Sequence, residues 1–88
     1  MKILIYENRK QDPMYIDIST PEKRDKGFMY LFKYLRDQWQ VYTDELSDKD
    51  HALFVDANAG NVEAAIKLLQ NHRKYEYEEW SVGEVIKP

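Results

Sequence analysis

The sequence predicts an α+β domain, a small antiparallel sheet with helices on one face in the order β-β-α-α-α-β. Three observations carry that prediction. The first eighteen residues hold two runs of β-forming apolar side chains. An apolar stripe at helical spacing follows, and cap and glycine signals then mark two shorter helices. The tail returns to a period of two.

Residues 2–6 place Ile3 and Ile5 on one face of a strand and Leu4 and Tyr6 on the other. Apolar residues on both faces predict a central strand. Residues 8–13 are polar and end in Asp12-Pro13, which reads as a turn. Met14, Ile16 and Ile18 then alternate with Tyr15 and Asp17, the pattern of a half-buried strand. The two strands are expected to form a hairpin whose loop is longer than the tightest turns.

Thr20 can cap a helix, Pro21 fits the first helical position and Glu22 suits the positive end of the dipole. Phe28, Leu31, Phe32, Leu35 and Trp39 follow at i, i+3, i+4, i+7 and i+11, one stripe on a helix of about 18 residues. Gly27 lies inside that helix and is expected where it approaches the sheet closely. Tyr30 and Tyr34 flank the stripe at its expected half-buried edge.

Ser47 caps the second helix, with Asp50 as the acidic partner of a capping-box-like pattern. Ala52, Leu53, Phe54 and Val55 form a compact apolar segment, and Gly60 ends it in a left-handed conformation. Asn61 caps the third helix, in which Val62, Ala65, Ile66 and Leu69 make one stripe that Leu68 widens. The pair reads as an αα-hairpin. In the tail, Tyr75, Tyr77 and Glu79 alternate with Glu76, Glu78 and Trp80. Val82, Val85 and Ile86 are β-formers, and Gly83 among them suggests a bulge or turn.

Eighty-eight residues with no Gly/Ser/Pro-rich linker predict a single domain over 1–88. The 43% hydrophobic and 14% aromatic content argues for a folded chain. With no cysteine, disulfides and thiolate metal sites are excluded. No apolar run approaches the roughly 20 residues of a membrane span, and residues 1–6 are too short for a signal peptide. A cytoplasmic location and no membrane partner are the expectation. The formal charge of −3 argues against a simple basic nucleic-acid binder. It is unevenly distributed: residues 1–36 carry eight basic and five acidic side chains, residues 37–63 one and seven, and residues 64–88 four of each.

Catalytic chemistry is poorly supported, and the reading is of a protein that is not an enzyme and takes no cofactor. Ser19 and Ser47 read as helix-start residues, and no serine sits in a nucleophile elbow. His51 and His72 read as surface histidines on different helices. Asp48, Asp50 and His51 beside Asp44 and Glu45 offer oxygen ligands, but acids at a helix start ordinarily serve the dipole. Asp56-Ala57-Asn58-Ala59-Gly60 misplaces the glycine of a calcium loop, and Lys67 stands where its bidentate Glu is needed. No metal site is assigned. Gly27, Gly60 and Gly83 are isolated, so no phosphate-cradling loop exists.

Three surfaces remain as candidates. Arg9, Lys10, Lys23, Arg24, Lys26, Lys33 and Arg36 form a basic front beside Tyr30 and Tyr34, where bases could stack. The acidic middle opposes that use, so nucleic acid is the less favoured partner. Asp44, Glu45, Asp48 and Asp50 lead an acidic face that either is simply solvated or meets a basic surface on another protein. Arg73, Tyr75, Tyr77, Glu79 and Trp80 mark a strand that either packs its tyrosines under a helix or offers an interaction edge. At a sheet edge it could pair with a second copy or a partner.

Two resemblances follow from these residues. Ala59-Gly60-Asn61-Val62-Glu63-Ala64-Ala65-Ile66-Lys67-Leu68-Leu69 resembles the helix-turn-helix of ankyrin-type repeats, but it occurs once, so the repeat fold does not follow. The opening "ENRKQDP" and the later "NVEAAIKLLQNHRKYEYEEW" in a short acidic chain resemble small uncharacterised proteins of phages and mobile elements of Gram-positive bacteria. That resemblance implies an accessory role, binding and modulating a host protein, and supplies no catalytic residue. The expected function is a non-enzymatic protein-binding module that occludes a partner's surface. The alternative is a nucleic-acid-binding accessory protein.

Overall fold

The computed structural model describes residues 1–38, 46–74 and 78–84. Its elements are β1 (Lys2–Asn8), β2 (Gln11–Asp17), α1 (Pro21–Gln38), α2 (Asp48–Asn58), α3 (Val62–Asn71) and β3 (Glu78–Glu84). The three strands form one antiparallel sheet in the order β2-β1-β3. The fold is therefore α+β with the predicted element order. The chain divides into two compact units. One comprises Met1–Gly27 with Arg73–Pro88, and the other is Phe28–His72.

The first unit holds the sheet. β1 is central, as its two apolar faces predict. Leu4 pairs with Ile16 and Val82, and Tyr6 with Met14 and Trp80, so these six share a face. Leu4, Tyr6 and Trp80 are buried there, each contributing about 1.5–3 kcal/mol through its apolar area. Gly27, near the start of α1, lies against Ile16 and Ile18. The predicted close approach is thus made.

The hairpin is tighter than predicted. Asn8 pairs with Gln11, so the turn is Arg9-Lys10, and Asp12-Pro13 lies inside β2. The Asn8 side chain sets this turn, accepting the Lys10 N–H at 2.7 Å through Oδ1 while its Nδ2 donates to the Tyr6 hydroxyl at 3.0 Å. Pro13 is accommodated because β2 is an edge strand and because the register shifts at this point. Glu7 alone on β1 faces both Asp12 and Pro13 between the flanking pairs. Gly83 differs from expectation in the opposite sense. It continues a regular ladder opposite Ile3 with no bulge, its missing side chain leaving room for Ile5.

α1 begins as its sequence predicts. The Thr20 hydroxyl oxygen accepts the Lys23 N–H at 3.1 Å, and Pro21 opens the helix. In the second unit Phe28, Leu31, Phe32 and Leu35 are buried, while Trp39 lies outside the described residues. α2 and α3 pack as the predicted hairpin. Ser47 Oγ accepts the Asp50 N–H at 3.2 Å, and Asn61 Oδ1 accepts the Ala64 N–H at 3.1 Å. Between them Gly60 adopts φ +101°. Its N–H donates to the Ala57 carbonyl and that of Asn61 to the Asp56 carbonyl, both at 3.0 Å, a Schellman closure.

Candidate functional site

The α2–α3 hairpin holds a polar cluster that joins its two helices. The Asp50 carboxylate, on the first turn of α2, meets His72 Nε2 at 2.8 Å through Oδ2. Its Oδ1 accepts from Asn71 Nδ2 at 3.0 Å. These bonds, that to His72 foremost, lower the Asp50 pKa. His72 is the residue that closes α3, where its backbone N–H donates to the Leu69 carbonyl. The sequence reading of His72 as a plain surface histidine is corrected here: it is half-buried and bound to α2. His51 is exposed, as expected.

A signal for this cluster does stand in the sequence. Asp50 lies ten residues before Gly60, and His72 lies eleven after Asn61. Two antiparallel helices pivoting on a Gly60-Asn61 turn bring these positions level. Capping logic alone assigned Asp50 to its own helix and so missed its partner across the turn.

The two helices differ in burial. α3 buries Ala64, Ala65, Ile66, Leu68 and Leu69, whereas α2 buries only Ala57. Leu53 and Phe54 are half-buried, Phe54 meeting the Phe32 ring edge-on with centroids 6.0 Å apart. The outer face of α2 carries Asp48, Ala52, Val55 and Asp56, with Ala59, the residue that caps its C-terminus, beside them, all exposed. Val55 is 51% exposed. At 100° per residue, Asp48, Val55, Ala52 and Ala59 fall within a sector of about 60°, and Asp56 lies on its flank. Of the acidic candidates, Asp48 is thus presented outward and Asp50 is committed to the hairpin. Asp44 and Glu45 lie outside the described residues.

The C-terminal candidates separate in the same way. Trp80 is 3% exposed, with the Arg73 guanidinium 4.9 Å from its ring centroid. The Trp80 backbone N–H donates to the Arg73 carbonyl at 2.9 Å, and Lys74 bridges to Glu79. Trp80 therefore serves the interior of its unit, while Glu79 is exposed. Tyr75 and Tyr77 lie outside the described residues.

The basic front is largely engaged by its own acids. Lys23 meets Asp17 at 3.0 Å, Arg24 meets Asp25 at 3.2 Å and Lys26 meets Glu22 at 3.6 Å. Arg36 meets Asp37 at 2.6 Å and donates from Nη1 to Asn58 Oδ1 at 2.7 Å. Arg9 and Lys10 form the β1–β2 turn, and Lys33 is exposed on α1. Tyr30 and Tyr34 stack on each other with centroids 6.2 Å apart.

The chain matches no protein-family model, no curated protein and no solved structure. Among the described residues no group of three or more His, Asp or Glu is placed to hold a metal ion. No described helix is long and apolar enough to cross a membrane. The site therefore rests on geometry alone: a short acidic helix, lightly buried, displayed on a well-packed one.

Proposed function

We propose that the protein is a small protein-binding module that has no catalytic chemistry of its own and works by covering a surface on its partner. The observation that carries this reading is the outer face of α2, where exposed Val55 stands among Ala52, Ala59 and the exposed acids Asp48 and Asp56. A helix that leaves a valine and small residues outward is suited to lie in a groove of another protein. Acids beside them favour a basic rim, which speeds encounter and rejects acidic surfaces. The basic front supports nucleic-acid binding less, because four of its seven cations already face carboxylates of this chain. The resemblance to phage and mobile-element proteins makes a host protein the natural partner of this reading. A second copy is a further candidate partner, because β3 lies at a sheet edge where strands of two chains can pair.

Affinity capture from the native host with wild type, Val55→Lys and the double variant Asp48→Asn/Asp56→Asn tests the proposal. The expected result is one partner held by wild type and lost by Val55→Lys. Undiminished capture of that partner by both variants removes α2 from the mechanism. Sedimentation at two concentrations checks self-pairing, which the weight of a single chain at both concentrations excludes.

A further inference from the structure

We infer that α2 is a latched helix that opens from α3 as a unit while the rest of the protein stays folded. The inference stands on how α2 is held and does not depend on what its outer face binds. Its apolar attachment is thin: Ala57 alone is fully buried, with Leu53 and Phe54 half-buried. Among the described residues, its side-chain hydrogen bonds to other helices sit near its two ends. At the first turn Asp50 is gripped by His72 at 2.8 Å and by Asn71 at 3.0 Å. At the last turn Asn58 receives Arg36 Nη1 at 2.7 Å. α3, one residue shorter, buries five side chains.

Local opening free energies follow buried apolar contact, and segments poor in it separate first. For α2 the balance between closed and open therefore rests on a few side-chain bonds at its ends. Such bonds are partly exposed, so each contributes modestly and none outweighs a buried core. The Gly60 turn gives α2 a pivot, and the N-terminus of α3 does not depend on α2, because Asn61 caps it independently. The Ser47 cap travels with α2, since its bond is to Asp50 N–H of the same helix.

Native-state amide exchange, read residue by residue on the full chain, tests the latch. In wild type the α2 amides are expected to open more readily than those of α3 and β1. His72→Ala should raise the α2 opening constant about fivefold, the worth of one partly exposed charge-assisted hydrogen bond. It should leave the slowest α3 and β1 amides unchanged. Asn58→Ala, at the opposite end of α2, should act on the same amides in the same direction. Equal protection of α2 and α3 in wild type overturns the inference. So does a His72→Ala effect spread equally over α2, α3 and β1, or no effect on α2 from either variant.

Discussion

A methyl group on Gly27 would stand 2.8 Å from Cγ2 of Ile18, and it would meet Cγ2 of Ile16 at 2.9 Å. Both distances are well inside van der Waals contact, and both neighbours are β-branched side chains with little rotamer freedom. Helix propensity alone favours alanine over glycine by about 1 kcal/mol. Overpacking costs about 1–3 kcal/mol and opposes it. Gly27→Ala is therefore expected to destabilise the protein by roughly 1 kcal/mol net. Urea unfolding measures it, and an unchanged or higher midpoint would show that α1 can shift away from Ile16 and Ile18.

Gly60 presents the reverse case. Nothing lies within 4 Å of its absent side chain, yet its φ is +101°. Gly60→Ala should cost about 1–2 kcal/mol through backbone strain alone. Gly60→Asn should cost less, since Asn tolerates positive φ better than Ala. Equal urea midpoints for Ala and wild type would contradict the strain.

These two glycines also mark how far the sequence can be read. Thr20-Pro21, Ser47, Gly60 and Asn61 act through neighbours in the chain, so local chemistry located the helix ends. Periodicity located the core, and Leu31, Phe32, Leu35, Leu68 and Leu69 are all buried. The hairpin loop was misread because Asp12-Pro13 is a turn signal that an edge-strand irregularity also satisfies. The Asp50–His72 contact was missed because it spans 22 positions and depends on two helices packing level. The division of the acidic residues into displayed Asp48 and engaged Asp50 is likewise a tertiary fact.

Trp80 and Arg73 give a third prediction. The guanidinium stands over the indole at 4.9 Å while the backbones of the same two residues are hydrogen-bonded. Trp80→Ala removes a buried aromatic beside Tyr6 and should cost about 3–5 kcal/mol. Arg73→Ala keeps the backbone bond and loses only the stacking, worth about 0.5–1 kcal/mol. Chemical denaturation of the two variants separates these sizes. An Arg73→Ala loss as large as that of Trp80→Ala would mean that Arg73 holds more than the ring.

Asp17 sets the clearest pH dependence. The Ser19 hydroxyl donates to its Oδ1 at 2.6 Å, the Ser19 N–H donates to the same oxygen at 2.9 Å, and Lys23 Nζ stands 3.0 Å from Oδ2. These contacts, the Ser19 hydroxyl first, lower its pKa from 3.8 to about 2. A carboxylate whose folded pKa is depressed stabilises the fold above its unfolded value. That contribution is lost as pH falls through the folded one. The Asp17 contribution is therefore complete above pH 3.8 and fades down to about pH 2. Asp50, lowered chiefly by His72, acts in the same direction. Carboxyl titration by NMR should give Asp17 a midpoint near 2, and Ser19→Ala should move it up toward 3.8. In Asp17→Asn the acid limb of the stability profile should flatten. A wild-type midpoint already at 3.8, or a Ser19→Ala variant that titrates like wild type, would show that the hydroxyl does not hold the carboxylate in solution.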